Sequence, residues 1–207
     1  MSIVKLNNNG VKNATAFGSI TGLGSMTFIK KLTASSSSTV SFVDGASGVV
    51  LDDTYKEYVF TFKDIHASND SAEMQFNISV DGGSNYNVTK TANFVYAYKN
   101  EVDNGIYAVE FVSSYSLAQS TNPQVIVENA GTDNDQSIVG TLTLYNPSNT
   151  TFVKHFMATL NNYAANDYNK NSYVAGYGNT TSAVNAIQFS MNAGTIDAGD
   201  ICLYGIA

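Results

Sequence analysis

The sequence predicts an all-β, antiparallel fold, and three observations predict it. Short runs of alternating apolar and polar residues recur along the chain, turn residues separate them, and no long amphipathic helical pattern competes. The stretch from Tyr55 to Tyr98 is the clearest case. Tyr58, Phe60 and Phe62 fall on one side and Glu57, Thr61 and Lys63 on the other, the period of two that a half-buried strand requires. Met74, Phe76, Ile78 and Val80 alternate with Gln75, Asn77, Ser79 and Asp81. Phe94, Tyr96 and Tyr98 share a face beyond the turn Asp81-Gly82-Gly83-Ser84, whose glycines can supply the positive φ of a tight hairpin. The block therefore reads as consecutive antiparallel strands.

Taken in order, residues 1–33 read as an extended N-terminal arm, because glycine and asparagine punctuate them and their apolar residues are too scattered for a helix. Such an arm can pair with a neighbouring subunit or lie along a larger assembly; the alternative is a first strand and loop of the same domain. The low-complexity run from Ala34 to Thr39 is expected to be a hinge, with an exposed strand edge as the other reading. Residues 34–207 form one β-domain, with strands expected near 39–43, 56–65, 73–80, 90–98, 106–113, 124–128, 137–145, 151–160, 172–177, 184–191 and 200–206. This spacing suits a sandwich or barrel and not βαβ units. In the 151–160 strand, Phe152, Lys154, Phe156, Ala158 and Leu160 alternate with Val153, His155, Met157 and Thr159. Both faces are partly apolar, as in a strand inside a two-sheet stack or at a subunit contact. The closing strand, Ile201 to Ile206, is expected to tie the end of the chain into the sheet.

Composition narrows the function classes. With 207 residues and 43% hydrophobic content the chain can bury a real core, yet only 13% of its residues are charged. Its exterior must be built from Asn, Ser, Thr, Gly and Tyr. The absence of arginine and the net charge of -7 disfavour nucleic-acid binding, which draws on clustered Lys and Arg. The one basic pair, Lys30-Lys31, reads as a solvated strand end. No eighteen-residue apolar run predicts membrane insertion. The start MSIVKLNNNG lacks the apolar core of a secretory signal, so an unprocessed chain made in the cytoplasm is expected. A single cysteine, Cys202, excludes an intrachain disulfide and reads as a structural thiol between Ile201 and Leu203.

Candidate chemistry is sparse. His66 reads as a loop residue at a strand end, and His155 as a packed strand residue in place of a catalytic base. Asp133 and Asp135 lie in the acidic loop Gly131 to Gln136, but Ile138 and Leu144 occupy the places where an EF-hand needs Gly and Glu. They are weak metal candidates, and a turn is the default reading. Glu57, Glu73, Glu101 and Glu110 offer no selected carboxylate pair for glycoside hydrolysis. No glycine-rich loop opens a helix, so no nucleotide fingerprint is present and no cofactor is expected. There remains the segment Asn161 to Tyr173, followed by Gly176-Tyr177-Gly178. Tyr gives rigid amphipathic area and Asn adaptable hydrogen bonding, the mixture binding loops use. Tyr163, Tyr168, Asn169, Tyr173 and Tyr177 are the candidate contacts to a host surface or glycan; a long connecting loop over the sheet end is the bland alternative.

The segments YKEYVFTFKDIHASNDSAEMQFNISVDGGSNYNVTKT and FVKHFMATLNNY, with YVAGYGNTTSAVNAIQFSMNAGTIDAGDICLYGI, resemble a recurrent β-rich virion protein of marine tailed bacteriophages. The likeness covers most of residues 30–207 and closes on the Gly194 to Ile206 strand. It is a pattern of strands and turns and carries no active site. It implies a jelly-roll-like sandwich on a phage particle, assembled in the host cytoplasm as a tail-fibre or spike domain or as a protein on the head. A non-enzymatic virion protein is the leading expectation, with the arm engaging other virion proteins, homotrimeric self-association, and a host surface glycan as a further partner. Within it, host attachment is preferred and a capsid decoration protein is the alternative. A free carbohydrate-binding module is a second class, and a glycan depolymerase, needing a carboxylate of raised pKa, a third.

Overall fold

The computed structural model describes residues 26–102 and 104–207, so most of the expected arm, residues 1–25, lies outside the described part. Among the described residues the chain forms strands β1 (Met26–Ser37), β2 (Val40–Val43), β3 (Glu57–Ala67), β4 (Ala72–Ser79), β5 (Lys90–Asn100), β6 (Tyr107–Phe111), β7 (Gln124–Ala130), β8 (Ile138–Tyr145), β9 (Lys154–Ala164), β10 (Tyr168–Gly178), β11 (Ala186–Met191) and β12 (Ile196–Ile206), with a 3-10 turn at Ser113–Tyr115. Every pairing is antiparallel. One layer runs β1-β12-β3-β8-β9-β10-β5-β6 and the other β7-β4-β11-β2. A single β7–β9 pair, Ala130 with Ala164, joins them at a corner, and the result is an all-β, jelly-roll-like sandwich nearly closed into a barrel.

Two expectations change here. β3, β4 and β5 exist but are not neighbours: β3 lies between β12 and β8, β4 between β11 and β7, and β5 between β10 and β6. The Asp81 to Ser84 turn therefore carries the chain from one layer to the other and closes no hairpin. Gly82 and Gly83 do take positive φ, 68° and 81°. Asp81 organises the turn by accepting hydrogen bonds from Ser79 Oγ (2.6 Å) and from the Asn85 backbone N (2.9 Å) and Nδ2 (2.7 Å). These bonds, Ser79's first, hold its carboxyl down at about 2. The second change is the serine run, where the strand-edge reading holds in place of the hinge: it is the end of β1, with Ser35 paired to Ala198 and Ser37 to Ile196 of β12. Ser36 Oγ donates to Asp197 Oδ1 at 2.8 Å, so the run is stitched to its neighbour instead of hinging.

The core lies between the layers. Phe60, Phe62 and Phe156 project from the larger layer and Phe42, Phe76 and Phe189 from the smaller, all buried. Phe189 meets Phe62 edge-on at 5.1 Å and Phe60 at 5.5 Å, while Phe76 meets Phe156 at 5.0 Å. Each such ring contributes about 2 to 3 kcal/mol through burial, with a further fraction from the edge-to-face geometry. Where β12 crosses β3 the register slips twice, and Gly199 (φ 113°) sits at the slip facing Asp64 and Ile65. A Cβ there would strike the β3 backbone, which is why the sequence places glycine at that point.

Among the described residues three lysines are buried; Lys170 of β10 pairs with Glu128, and the other two have no carboxylate partner. Lys90 of β5 and Lys154 of β9 flank Gly178 of β10 in one cross-strand row. Lys90 Nζ donates to Asn77 Oδ1 (2.6 Å) and the Val88 carbonyl (2.9 Å), and Lys154 Nζ to the carbonyls of Phe152 (2.6 Å) and Thr180 (3.3 Å). These acceptors are neutral oxygens, so burial is uncompensated and pushes Lys90 down to about 8; Lys154 moves in the same direction for the same reason. Phe152, expected in the strand, lies before it and is exposed.

Candidate functional site

The segment expected as a long Tyr/Asn loop is a hairpin. β9 and β10 pair without interruption from Ala164 with Tyr168 to Lys154 with Gly178, closed by a turn in which the Asp167 N–H bonds the Ala164 carbonyl at 3.0 Å. Even-numbered residues from Lys154 to Ala164 point into the sandwich and odd-numbered ones point out. On β10, Lys170, Ser172 and Val174 are inward, and Asn169, Asn171, Tyr173, Ala175 and Tyr177 outward.

This parity sorts the candidate contacts. Tyr163 and Asn169 are directly opposed across the hairpin, and Tyr173 and Tyr177 continue the same outer face. Tyr168 does not belong with them: its ring stacks on Tyr98 of β5, planes 2° apart and centroids at 5.6 Å, on the inward side. β5 extends the outer face, setting Thr91 beside Tyr177, Asn93 beside Ala175 and Val95 beside Tyr173. Two contiguous depressions of about 400 and 230 Å³ lie on it, sharing Asn93, Met157 and Ala175. Small residues make the floor. Tyr177, His155 and Tyr145 wall one end and Tyr173 the other. β10 lies so close to β5 that a Cβ on Gly176 would strike the Thr91 carbonyl oxygen and Ala92.

Much of the polar chemistry of this face is already oriented. Asn161 Nδ2 faces Asn169 Oδ1 (2.6 Å), the Lys170 carbonyl (2.9 Å) and Asn171 Oδ1 (3.0 Å), and Asn171 Nδ2 donates to the Tyr173 hydroxyl (3.2 Å). The Tyr173 hydroxyl, accepting there, keeps its own proton to donate to a ligand. Tyr163 instead turns its hydroxyl between Glu101 Oε2 and Asp167 Oδ1, both at 3.2 Å. Desolvation first and these two bonds next push its phenol up to about 12. Tyr177 meets His155 edge-on at 6.0 Å. His155, expected to be packed, is exposed because its odd position turns it outward. The two depressions carry rings, hydroxyls, a thioether and the Asn93 amide, and the only ionisable groups lining them are tyrosines and His155.

The other candidates are not assembled into sites. Asp135 borders a polar hollow of about 420 Å³ with Asp64, His66 and Asp197, and His66 Nε2 lies 3.2 Å from the backbone carbonyl of Asp133. Asp133 and Asp135 lie in the turn before β8, where the Gln136 N–H bonds the Asp133 carbonyl at 2.9 Å and the Asp133 N–H bonds Gln136 Oε1 at 3.1 Å; among the described residues no three His, Cys, Asp or Glu side chains converge. His66 is in β3 and not in a loop. Glu110 accepts from both the Tyr96 and Tyr98 hydroxyls at 3.1 Å, and Glu101 from Tyr163. Cys202 is free and half-buried, at an outward position opposite Thr61.

Sequence reasoning missed Asn93, Val95, Met157 and Tyr145 as parts of the face. The odd-position pattern of β9 was a usable signal for Met157; the contribution of β5 was not visible, because it depends on which strands pair. Comparison with protein-family models, curated proteins and solved structures finds no match for this chain.

Proposed function

We propose that the chain is a non-enzymatic structural protein of a bacteriophage virion, displaying the outer face of β9, β10 and β5 to a glycan on the host surface. The observation that carries the reading is the chemistry of that face: aromatic walls and a donor-ready Tyr173 hydroxyl around a shallow trough with no Lys, Asp or Glu in its lining, continued along the hairpin by the oriented amides of Asn161, Asn169 and Asn171. Neutral polyhydroxylated rings present apolar C–H faces to aromatic walls and hydroxyls to amides, and a shallow sheet surface suits an extended chain. The resemblance of the strand and turn pattern to marine phage virion proteins supplies the particle context.

The test is binding of the full chain to host cells and to isolated host surface polysaccharide, with Tyr173→Ala and Tyr177→Ala as variants. Truncating an aromatic wall at a small contact costs about 2 kcal/mol, roughly a 30-fold loss of affinity. Unchanged binding in both variants overturns the attachment reading, and release of sugar products from the polysaccharide overturns the non-enzymatic one. Location of the chain on the head in a cryo-EM map of the particle favours decoration over attachment.

A further inference from the structure

Strand edges invite pairing, and among the described residues the β1 and β2 edges are better protected than the β6 edge. The β1 edge carries Lys30 and Lys31 and breaks register between Phe28 and Lys30; the β2 edge is four residues long. Charge, irregularity and shortness are the usual protections of an edge. β6 is five residues long and regular, and its one charge, Glu110, is turned to the inner side by the Tyr96 and Tyr98 hydroxyls. Among the described residues it pairs with β5 alone, in five unbroken pairs, and it contains neither Lys nor Pro. Tyr107, Val109 and Phe111 are 68%, 74% and 60% exposed, an apolar row on the same outer side as Val95 and Tyr173.

We propose that β6 joins two copies of this chain, antiparallel, about a two-fold axis through Val109. The occupant is chosen by the sequence of the strand itself. A two-fold axis normal to the sheet pairs residues of like parity, so the axis must pass through a residue. Through Val109 it sets Tyr107 against Phe111 of the second copy, Ala108 against Glu110 and Val109 against Val109, using the whole strand. Aromatic and β-branched pairs are the favourable ones across antiparallel strands, and no like charges meet. Through Glu110 the two carboxylates would oppose each other, and through Ala108 Phe111 would have no partner. Only one register satisfies the strand. The contact is isologous and closes after two copies, in place of the three-fold ring expected from the sequence. It would also set two troughs on one continuous sheet, so that a polymeric ligand is held twice; that consequence rests on the glycan reading, whereas the contact does not.

The test is the mass of the full-length protein in solution, by light scattering and sedimentation equilibrium across the micromolar range. The wild type is expected to be a dimer. Val109→Lys and Val109→Glu each place like charges across the axis and are expected to be monomers with unchanged circular dichroism, because the position is exposed. An equimolar mixture of the two variants sets Lys against Glu and is expected to restore a dimer. A wild-type monomer or trimer, a Val109→Lys variant that remains dimeric, or a mixture that stays monomeric would each overturn the proposal. Glycan binding by a single trough is measured separately on the monomeric variants, so failure of one reading leaves the other standing.

Discussion

Replacing Lys90 by Met should reduce the rise of stability with pH that is expected of the wild type above pH 8. The lysine is fully buried, and its acceptors, Asn77 Oδ1 and the Val88 carbonyl, are neutral. Burial takes it from its ordinary 10.5 to about 8, which corresponds to about 3 kcal/mol of penalty on the charged form. The sign follows from linkage. Below pH 8 the lysine is charged in both folded and unfolded chains and the penalty is borne in full. As the pH climbs from 8 towards 10.5 the folded protein sheds the proton first, and stability rises. Above pH 10 the buried tyrosines oppose the trend: desolvation raises Tyr58 and Tyr115, so ionisation of tyrosines in the unfolded chain then favours unfolding. The clean window is pH 8 to 10, where Lys90 contributes about 2 to 3 kcal/mol. Lys154 adds a slope of the same sign, so the quantity to measure is the difference between wild type and Lys90→Met, by urea unfolding at several pH values. Absolute stability is a poor readout, since methionine leaves the Val88 carbonyl without the ammonium donor. Equal slopes in the two proteins would refute the assignment of an uncompensated buried ammonium.

Three further outcomes follow from the packing. Phe189→Ala removes the ring that touches Phe42, Phe60 and Phe62 and should cost about 3 to 5 kcal/mol in chemical unfolding. Gly176→Ala forces a methyl group against Thr91 and Ala92 where β5 and β10 approach, and should cost about 1 to 3 kcal/mol, seen as a lowered Tm. Cys202 is half-buried at an outward position, so it should react with a maleimide in the native protein, and Cys202→Ser should leave stability within about 0.5 kcal/mol of wild type.

The strands were legible because period-two alternation is a local signal. Lys90 and Gln124 begin the strands expected there, and the Phe60, Phe76 and Phe156 rows are the inward rows. Pairing was not legible. β3, β4 and β5 look like a meander in the sequence, but adjacency is decided by which apolar faces meet across the two layers, and Phe60 meets Phe42 and Phe189 from remote parts of the chain. For β1 the strand was the second reading of both the arm and the serine run, because Ser35, Ser36 and Ser37 have weak strand propensity; the run is held by the pairing of Ser35 and Ser37 with β12 and by the Ser36 to Asp197 bond. Composition likewise misleads for Lys90 and Lys154, which the amino-acid alphabet places on the surface. The candidate face was half visible: Tyr and Asn enrichment drew attention to β9 and β10, but a loop reading concealed their parity.

Parity gives the sharpest separation between binding and folding. Tyr168 and Tyr173 are five residues apart on one strand, are chemically identical and were grouped together from the sequence, yet they face opposite sides. Tyr173 is 45% exposed and opposes Thr159 on one side and Val95 on the other. Its removal deletes ligand area without touching the interior, so Tyr173→Ala should lose glycan binding about 30-fold at unchanged Tm. Tyr168 stacks on Tyr98, which bonds Glu110 and meets Tyr96. Tyr168→Ala should keep binding and lose about 1 kcal/mol of stability, the worth of an aromatic pair. The two measurements cross: one variant moves affinity alone and the other moves stability alone. If Tyr168→Ala weakens binding as much as Tyr173→Ala does, the ligand contacts the end of the hairpin and not its outer face, and the assignment of the trough fails.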